Sequence, residues 1–478
     1  MSRPAPSLST KLYYGFGSVA FGVKDQGFGF LLLLYYNQVL GLPERWVGLG
    51  IMITLIADAF LDPIVGYVSD NLHTRWGRRH PLMYLSAIPV ALSYGLLWSP
   101  PAGLSQGELF AYFVAISILV RAFISLYEVP SASLVPELTT HYDERTSLLG
   151  FRFFFGWWGG LAMAVLAFQV FLQPSAAFPV GVLNADGYHA YGWTAAIVMA
   201  CAIVLSAAGT HSYIPHLRKP PPHRPFDLAR TFAELRDTLA NRSFLALFGA
   251  MIFASMAGGL MAALNIYFNT FFWELTSNQM SLLVLTSFVA AAIALAAAPR
   301  ISVRIGKKAA AVSIALAAIV LGPAPVVLRL VGWFPENHTP ALMPALLATN
   351  LVALTLTIAS SIVSSSMIAD IVEDSELKTG RRSEGTFFAS MSFVQKSVSG
   401  IGIFTSTLLL GVIGFPQNAK PGEVGAEVVR DLGIVYTPMI VALYLCSIAF
   451  LAMYPISRAR HEENLRRLAD DADARAGA

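Results

Sequence analysis

Apolar stretches of about 20 residues or longer recur twelve times along this chain, separated by short polar connections. They lie near residues 15–40, 46–70, 80–98, 108–136, 148–172, 191–213, 243–272, 279–298, 308–331, 342–370, 384–413 and 432–455. A helix of about 20 residues is what crosses roughly 30 Å of hydrocarbon, and backbone groups left without partners in lipid are too costly for any looser structure. The pattern predicts an all-α membrane protein of twelve transmembrane helices. Arg3 and Lys11 precede the first run, Lys24-Asp25 interrupts it, and no small-residue cleavage site follows a short apolar core. It therefore reads as a retained first helix and not as a removable signal.

The polar connections organise the spans. The longest, 214–242, separates six spans from six and opens on Pro220-Pro221-Pro222. Its Leu228, Phe232, Leu235 and Leu239 then fall on one helical face, the pattern of an amphipathic helix lying on a membrane surface. The expected organisation is a six-helix half at 1–213, a linker at 214–242, a second six-helix half at 243–456 and a charged tail at 457–478. The loop after the second span carries Arg75-Trp76-Gly77-Arg78-Arg79, and the loop after the eighth carries Arg304-Ile305-Gly306-Lys307-Lys308. The shared Arg-x-Gly-basic-basic pattern at equivalent places points to two homologous halves, the architecture of transporters with a midplane site between repeats.

Composition narrows the class. Apolar residues make up 55% of the chain, charged residues only 13%, and the mean hydropathy is +0.60, whereas soluble domains carry about 25% charged residues. A water-soluble enzyme is excluded, and HExxH, GxSxG, P-loop and dinucleotide fingerprints are all missing. No enzymatic activity and no cofactor are expected. The net charge of +3 is too balanced for a nucleic-acid binder. Cys201 and Cys446 both sit in apolar runs and form neither a disulfide framework nor a metal motif. The histidines at 73, 80, 141, 211, 216 and 223 lie at span ends or in loops, where an interfacial role is the simpler reading.

Placement of charge sets the orientation. With the N-terminus inside, inner connections and termini hold 24 of the 32 Lys and Arg residues, and outer connections hold 4. This asymmetry predicts a multi-pass protein of the plasma membrane with both termini cytoplasmic. The remaining 4, Lys24, Arg121, Arg152 and Lys396, lie inside spans. There they face the acids Asp25, Asp58, Asp62 and Glu128. An ionisable side chain in a span costs about 2.5–3.5 kcal/mol on insertion scales, so each one marks a cavity or a partner. Asp58 and Asp62 stand four residues apart on one helix face. Two carboxylates sharing a low-dielectric face disfavour each other's ionisation and invite a cation or a proton, which is the chemistry of a cation-coupled carrier.

At these residues the sequence resembles the glycoside-pentoside-hexuronide:cation symporter family of the major facilitator superfamily, the branch that includes melibiose permease and the lysophosphatidylcholine symporters. The resemblance runs through Tyr14-Gly15-Phe16-Gly17 to Lys24-Asp25, and through Asp58-Ala59-Phe60-Leu61-Asp62-Pro63-Ile64-Val65-Gly66 to the Arg75–Arg79 loop. It continues in Glu128-Val129-Pro130, Arg152-Phe153-Phe154, Ala369-Asp370-Ile371-Val372-Glu373 and Lys396. It implies secondary active symport by alternating access, with sodium or a proton as coupling ion and a sugar, glycoside or related solute as substrate. By the same resemblance Asp58, Asp62 and Ser125 are the cation ligands. Lys24, Asp25, Glu128, Arg152 and Lys396 line the substrate site. Asp70, Arg75, Arg78, Arg79, Asp370 and Glu373 form a cytoplasmic gate. The implied partners are a small-molecule substrate and the lipid bilayer, and the implied state is a monomer.

The chain departs from its family at four of these places. Leu61 replaces an Asn between the two carboxylates, and Arg121 replaces a small residue on the fourth span. Ala132 and Ser361 stand where sugar-carrying members place stacking tryptophans. Leu61 cannot ligate a cation, and Arg121 brings the intramembrane count to four acids against four bases. The expectations are coupling to protons at least as readily as to sodium, Arg121 tuning the charge of the site, and a substrate other than a simple galactoside, anionic or amphipathic. Lysolipid or other amphiphile symport, and uncoupled facilitation, are the alternatives.

Overall fold

The computed structural model describes residues 6–139, 142–216, 242–379, 384–455 and 463. Every long element among them is a helix. The first span is assembled from short pieces, α1 (Leu8–Phe16), α2 (Val19–Gln26) and α3 (Leu32–Leu34), with π-helical turns at Gly27–Leu31 and Tyr35–Val39. The next helices are α4 (Glu44–Asn71), α5 (His80–Leu97), α6 (Gln106–Leu138), α7 (Tyr142–Leu166) and α8 (Ala185–His211). After the linker come α9 (Arg242–Tyr267), α10 (Ser277–Ile305), α11 (Lys307–Leu321) and α12 (Ala324–Leu330). The last three are α13 (Leu342–Thr379), α14 (Glu384–Val412) and α15 (Ala426–Ala452).

Among the described residues, 11 helices are long and apolar enough to cross a membrane. The remaining expected span, the first, is the segmented stretch 8–39, whose π-turns interrupt the α-helical ladder. Sequence periodicity misplaces several ends because polar caps and partly polar turns belong to the helices. α6 starts at a capping box in which Ser105 N donates to Glu108 Oε2 at 2.8 Å and Glu108 N donates to Ser105 Oγ at 3.4 Å, two residues before its apolar run. α8 starts six residues earlier than expected, capped by Asn184 Oδ1, which accepts from Gly187 N at 3.2 Å. Of the expected linker 214–242, only Ile214–His216 and Arg242 fall within the described residues; the expected interfacial helix with Leu228, Phe232, Leu235 and Leu239 lies outside them, and of the tail only residue 463 is described.

The chain divides into two compact units. The first comprises Met1–Phe226, Ala262–Val284 and Ile403–Val428, and the second Asp227–Met261, Leu285–Gly402 and Val429–Ala478. In the first, α2 lies against α7 with almost no side chain between them. A Cβ on Gly22 would collide with the carbonyl oxygen of Gly156, and one on Gly160 would sit 2.5 Å from the carbonyl oxygen of Gly22. Small residues four apart let membrane helices approach to backbone contact, which fixes the height of Lys24 against Arg152. In the second unit Phe244, Leu247, Ala294, Ala311, Val363, Met367 and Tyr454 form a buried apolar cluster. Large side chains at the helix surfaces, such as Leu85, Ile88 and Leu92 along one stripe of α5, are exposed. That is the distribution of a chain solvated by lipid.

Candidate transport site

In the first unit α4 and α6 face each other, and their polar residues meet between them. Asp58 is almost sealed, with 2% of its side chain exposed, and its Oδ2 accepts from Arg121 Nη1 at 3.1 Å. Ser125, one turn along α6 from Arg121, donates to Asp62 Oδ1 at 2.7 Å and lies 3.5 Å from Asp58 Oδ1. A serine has one proton to give, so the short contact to Asp62 is its hydrogen bond, and the contact to Asp58 is at the limit of one. The Phe28 ring, on the π-turn of the first span, lies 4.7 Å from the Arg121 guanidinium carbon, a cation–π contact that supports the charge from its other side. The three expected cation ligands are thus brought together. Arg121 is there too, as a direct ion-pair partner of Asp58.

The expected substrate residues of the first half adjoin this cluster. Lys24 is buried, pairs with Asp25 Oδ1 at 2.8 Å, and lies within electrostatic range of Glu128, Asp58 and Arg121. Asp25 itself keeps 60% of its side chain exposed. Arg152 is buried, donates from Nη1 to Ser131 Oγ at 2.8 Å and from Nη2 to the Glu128 carbonyl at 3.4 Å, and stacks over Phe21 at 4.7 Å. The Glu128 side chain is half-buried and lies within electrostatic range of both Lys24 and Arg152. Lys396 lies on α14 in the second unit and is half-buried there.

Of the expected gate residues, Arg78 and Arg79 converge on Glu137, a buried acid near the end of α6. Arg78 Nη2 donates to Glu137 Oε1 at 2.6 Å and Arg79 Nε at 3.3 Å. Arg79 also reaches the half-exposed Asp70 at 2.6 Å and Ser69 Oγ at 2.8 Å. Arg75 does not join this cluster. It is exposed, with its guanidinium carbon 5.7 Å from the Trp76 ring. In the second unit Lys307 pairs with buried Asp370. Glu373 lies on α13, and its side chain is outside the described residues.

Sequence reasoning missed Glu137, although the internal repeat contained the signal. Gly77 and Gly306 both take left-handed backbone, φ +74° and +84°, a conformation that favours glycine. The basic residue after each glycine, Arg78 or Lys307, pairs with a buried acid, Glu137 on the fourth span or Asp370 on the tenth. A charge-free cluster at the other end of the first unit was also missed. Tyr267 donates to Asn37 Oδ1 at 2.5 Å, Gln38 Nε2 donates to the Pro416 carbonyl at 3.2 Å, and Ala419 N donates to Gln38 Oε1 at 2.8 Å. Amides inside an apolar run carry no periodic signal of such pairing.

Residues 13–458 match the family described as MFS/sugar transport protein. The chain belongs to that family. The match bears out the resemblance drawn from the sequence, and the relatives and fold are those of membrane transporters, not of enzymes. A symporter of unassigned substrate from Synechocystis sp. is 26% identical, over 96% of each chain. Sodium-dependent lysophosphatidylcholine symporter 1 of Gallus gallus is 24% identical, over 98% of this chain and 90% of the relative. The isoprimeverose transporter of Lactiplantibacillus pentosus is 25% identical, over 88% and 83%. Among solved structures, the inward-open xylose transporter XylE from E. coli superposes with a TM-score of 0.64 at 14% identity, covering 96% of this chain and 98% of that one. It shows the shared major facilitator fold. The chain is thus a multi-pass membrane transporter.

Proposed function

We propose that this transporter carries a polar organic solute, a sugar, glycoside or related compound, together with a proton or sodium ion by alternating access of its halves 1–213 and 243–456. The observation that carries this reading is the Ser125 hydroxyl set between Asp58 and Asp62, beside the Lys24–Asp25 pair. Oxygen donors on one face of a span make a cation or proton site, and the exposed Asp25 and half-buried Glu128 next to it supply the acceptors a hydroxylated solute needs. Solute and ion then share one cluster of charges, so each changes the affinity for the other, which is the requirement for coupling. In this reading Lys24, Arg152 and Lys396 complete the substrate lining, and Asp70, Arg75, Arg78, Arg79, Asp370 and Glu373 form the cytoplasmic gate. A monomer in the plasma membrane, with both termini cytoplasmic, is sufficient for the cycle.

A second reading concerns the solute. Ala132 and Ser361 offer no ring to stack on, whereas α7 presents exposed Phe153, Phe154, Trp157 and Trp158 beyond Arg152. Cations with aromatic surface on the same helix suit an anionic or amphipathic substrate. Thermal-shift screening of sugars, hexuronides and lysolipids with the purified protein selects the ligand, and proteoliposome uptake under an imposed proton or sodium gradient tests coupling. Accumulation above equilibrium supports symport. Equilibration alone under either gradient refutes it. Stabilisation by neutral disaccharides but not by hexuronides or lysolipids refutes the second reading.

A further inference from the structure

Arg121 stands in the cation cluster as if it were a ligand's guest. Its guanidinium is 6% exposed and donates from Nη1 to Asp58 Oδ2 at 3.1 Å, and Asp58 Oδ1 lies 3.5 Å from Ser125 Oγ. Arg121 Nε is buried without a hydrogen-bond partner. A purely structural arginine usually engages a carboxylate through its planar fork. This one places a positive group on Asp58 Oδ2, while Asp58 Oδ1 and Asp62 Oδ1 lie about the Ser125 hydroxyl. A guanidinium cannot lose its proton in a protein, so the position stays filled with positive charge at every working pH. We infer that Arg121 is a tethered counter-cation that occupies the Asp58 side of the coupling site and excludes sodium from it.

The inference rests on the coupling site proposed above and adds to it the basis of ion selection. A hard cation needs several oxygen ligands at once. With one Asp58 oxygen held by Arg121 and Leu61 contributing no oxygen, too few remain for sodium, while a proton needs only one carboxylate oxygen. The charged groups facing the pair are Lys24 and Asp25 on α2, Asp58 and Asp62 on α4, Arg121 and Glu128 on α6 and Arg152 on α7. Four acids meet three bases in this group of seven. Removing Arg121 leaves four acids against two bases and clears the space beside Asp58, and both changes favour a bound monovalent cation.

The test is sodium-dependent thermal stabilisation of purified protein in detergent, comparing NaCl with equimolar choline chloride. The wild type is expected to unfold at the same temperature in both salts. Arg121→Ala is expected to gain a rise of about 3 °C in NaCl at one hundred times its sodium Kd, and Arg121→Ala combined with Asp58→Asn to lose that rise. If Arg121→Ala does not elute as a monodisperse peak, Arg121→Gln, which keeps an amide donor for Asp58 and adds an amide oxygen, is expected to show the same gain. A sodium shift of equal size in the wild type overturns the inference, as does a folded Arg121 variant with no sodium shift. Uptake plays no part in this readout, so a chain that only equilibrates solute loses the symport reading without affecting this one.

Discussion

Replacing Glu137 by alanine separates burial from distance as the determinant of ion-pair strength in this fold. Arg79 approaches exposed Asp70 more closely, at 2.6 Å, than it approaches Glu137, at 3.3 Å. For Arg79, distance alone would rank Asp70 first, whereas Arg78 lies closer to Glu137, at 2.6 Å, than to Asp70, at 3.8 Å. Burial reverses the ranking, because the Asp70 side chain is 52% exposed and that of Glu137 is 3% exposed. A charge pair about 4 Å apart is worth about 4 kcal/mol at an effective dielectric of 20, and about 1 kcal/mol in water. Forming the buried cluster already cost desolvation, so its net stabilisation is small. Truncating one partner still costs about 3–5 kcal/mol, because the other charges are left buried. Glu137→Ala leaves Arg78 and Arg79, 11% and 6% exposed, with the half-exposed Asp70 as their acidic partner and the Ser69 hydroxyl on Arg79, whereas Asp70→Ala costs under about 1 kcal/mol. At about 1 °C per kcal/mol for a chain of this length, tryptophan-monitored unfolding in detergent is expected to fall by roughly 3–5 °C for Glu137→Ala and by no more than about 1 °C for Asp70→Ala. Glu137→Gln, which keeps an acceptor without the charge, is expected to fall between them. Equal losses, or a larger loss for Asp70→Ala, would refute the reasoning.

Three further outcomes are expected. Asp62→Asn keeps an acceptor for Ser125 but removes the ionisable group, so gradient-driven accumulation in proteoliposomes should vanish while solute counterflow persists; retained accumulation would remove Asp62 from the coupling step. Gly22→Ala forces a methyl group into the Gly156 carbonyl and should cost about 1–3 kcal/mol or more, whereas Gly150→Ala on α7 meets open space and should be neutral or stabilising by up to about 1 kcal/mol, both read as shifts in unfolding temperature. The double change Asn37→Ala with Gln38→Ala removes the bonds to Tyr267, Pro416 and Ala419 at about 1 kcal/mol each. Unfolding temperature in detergent should then fall by about 3 °C, and an unchanged value would show that these bonds contribute nothing to holding that end together.

The apolar runs determined that the chain is an all-helical membrane protein, because a lipid solvent leaves backbone amides no partners outside a helix. Charge rarity singled out Asp58, Asp62, Lys24, Glu128 and Arg152 as candidate site residues, since each is costly in a span and needs a reason to be there. The repeated Arg-x-Gly-basic-basic loop announced the two-fold build, and left-handed Gly77 and Gly306 give it a backbone basis. Pairing was decided by the tertiary structure. Which acid Arg121 faces, that Arg78 and Arg79 share Glu137 while Arg75 turns to Trp76, and that Asn37 and Gln38 bond to residues over 200 positions away all depend on how helices approach one another. That approach is set by backbone contacts such as Gly22 against Gly156. A single span's pattern records which side chains are costly to bury, and only packing between spans supplies the neighbour that makes each burial tolerable.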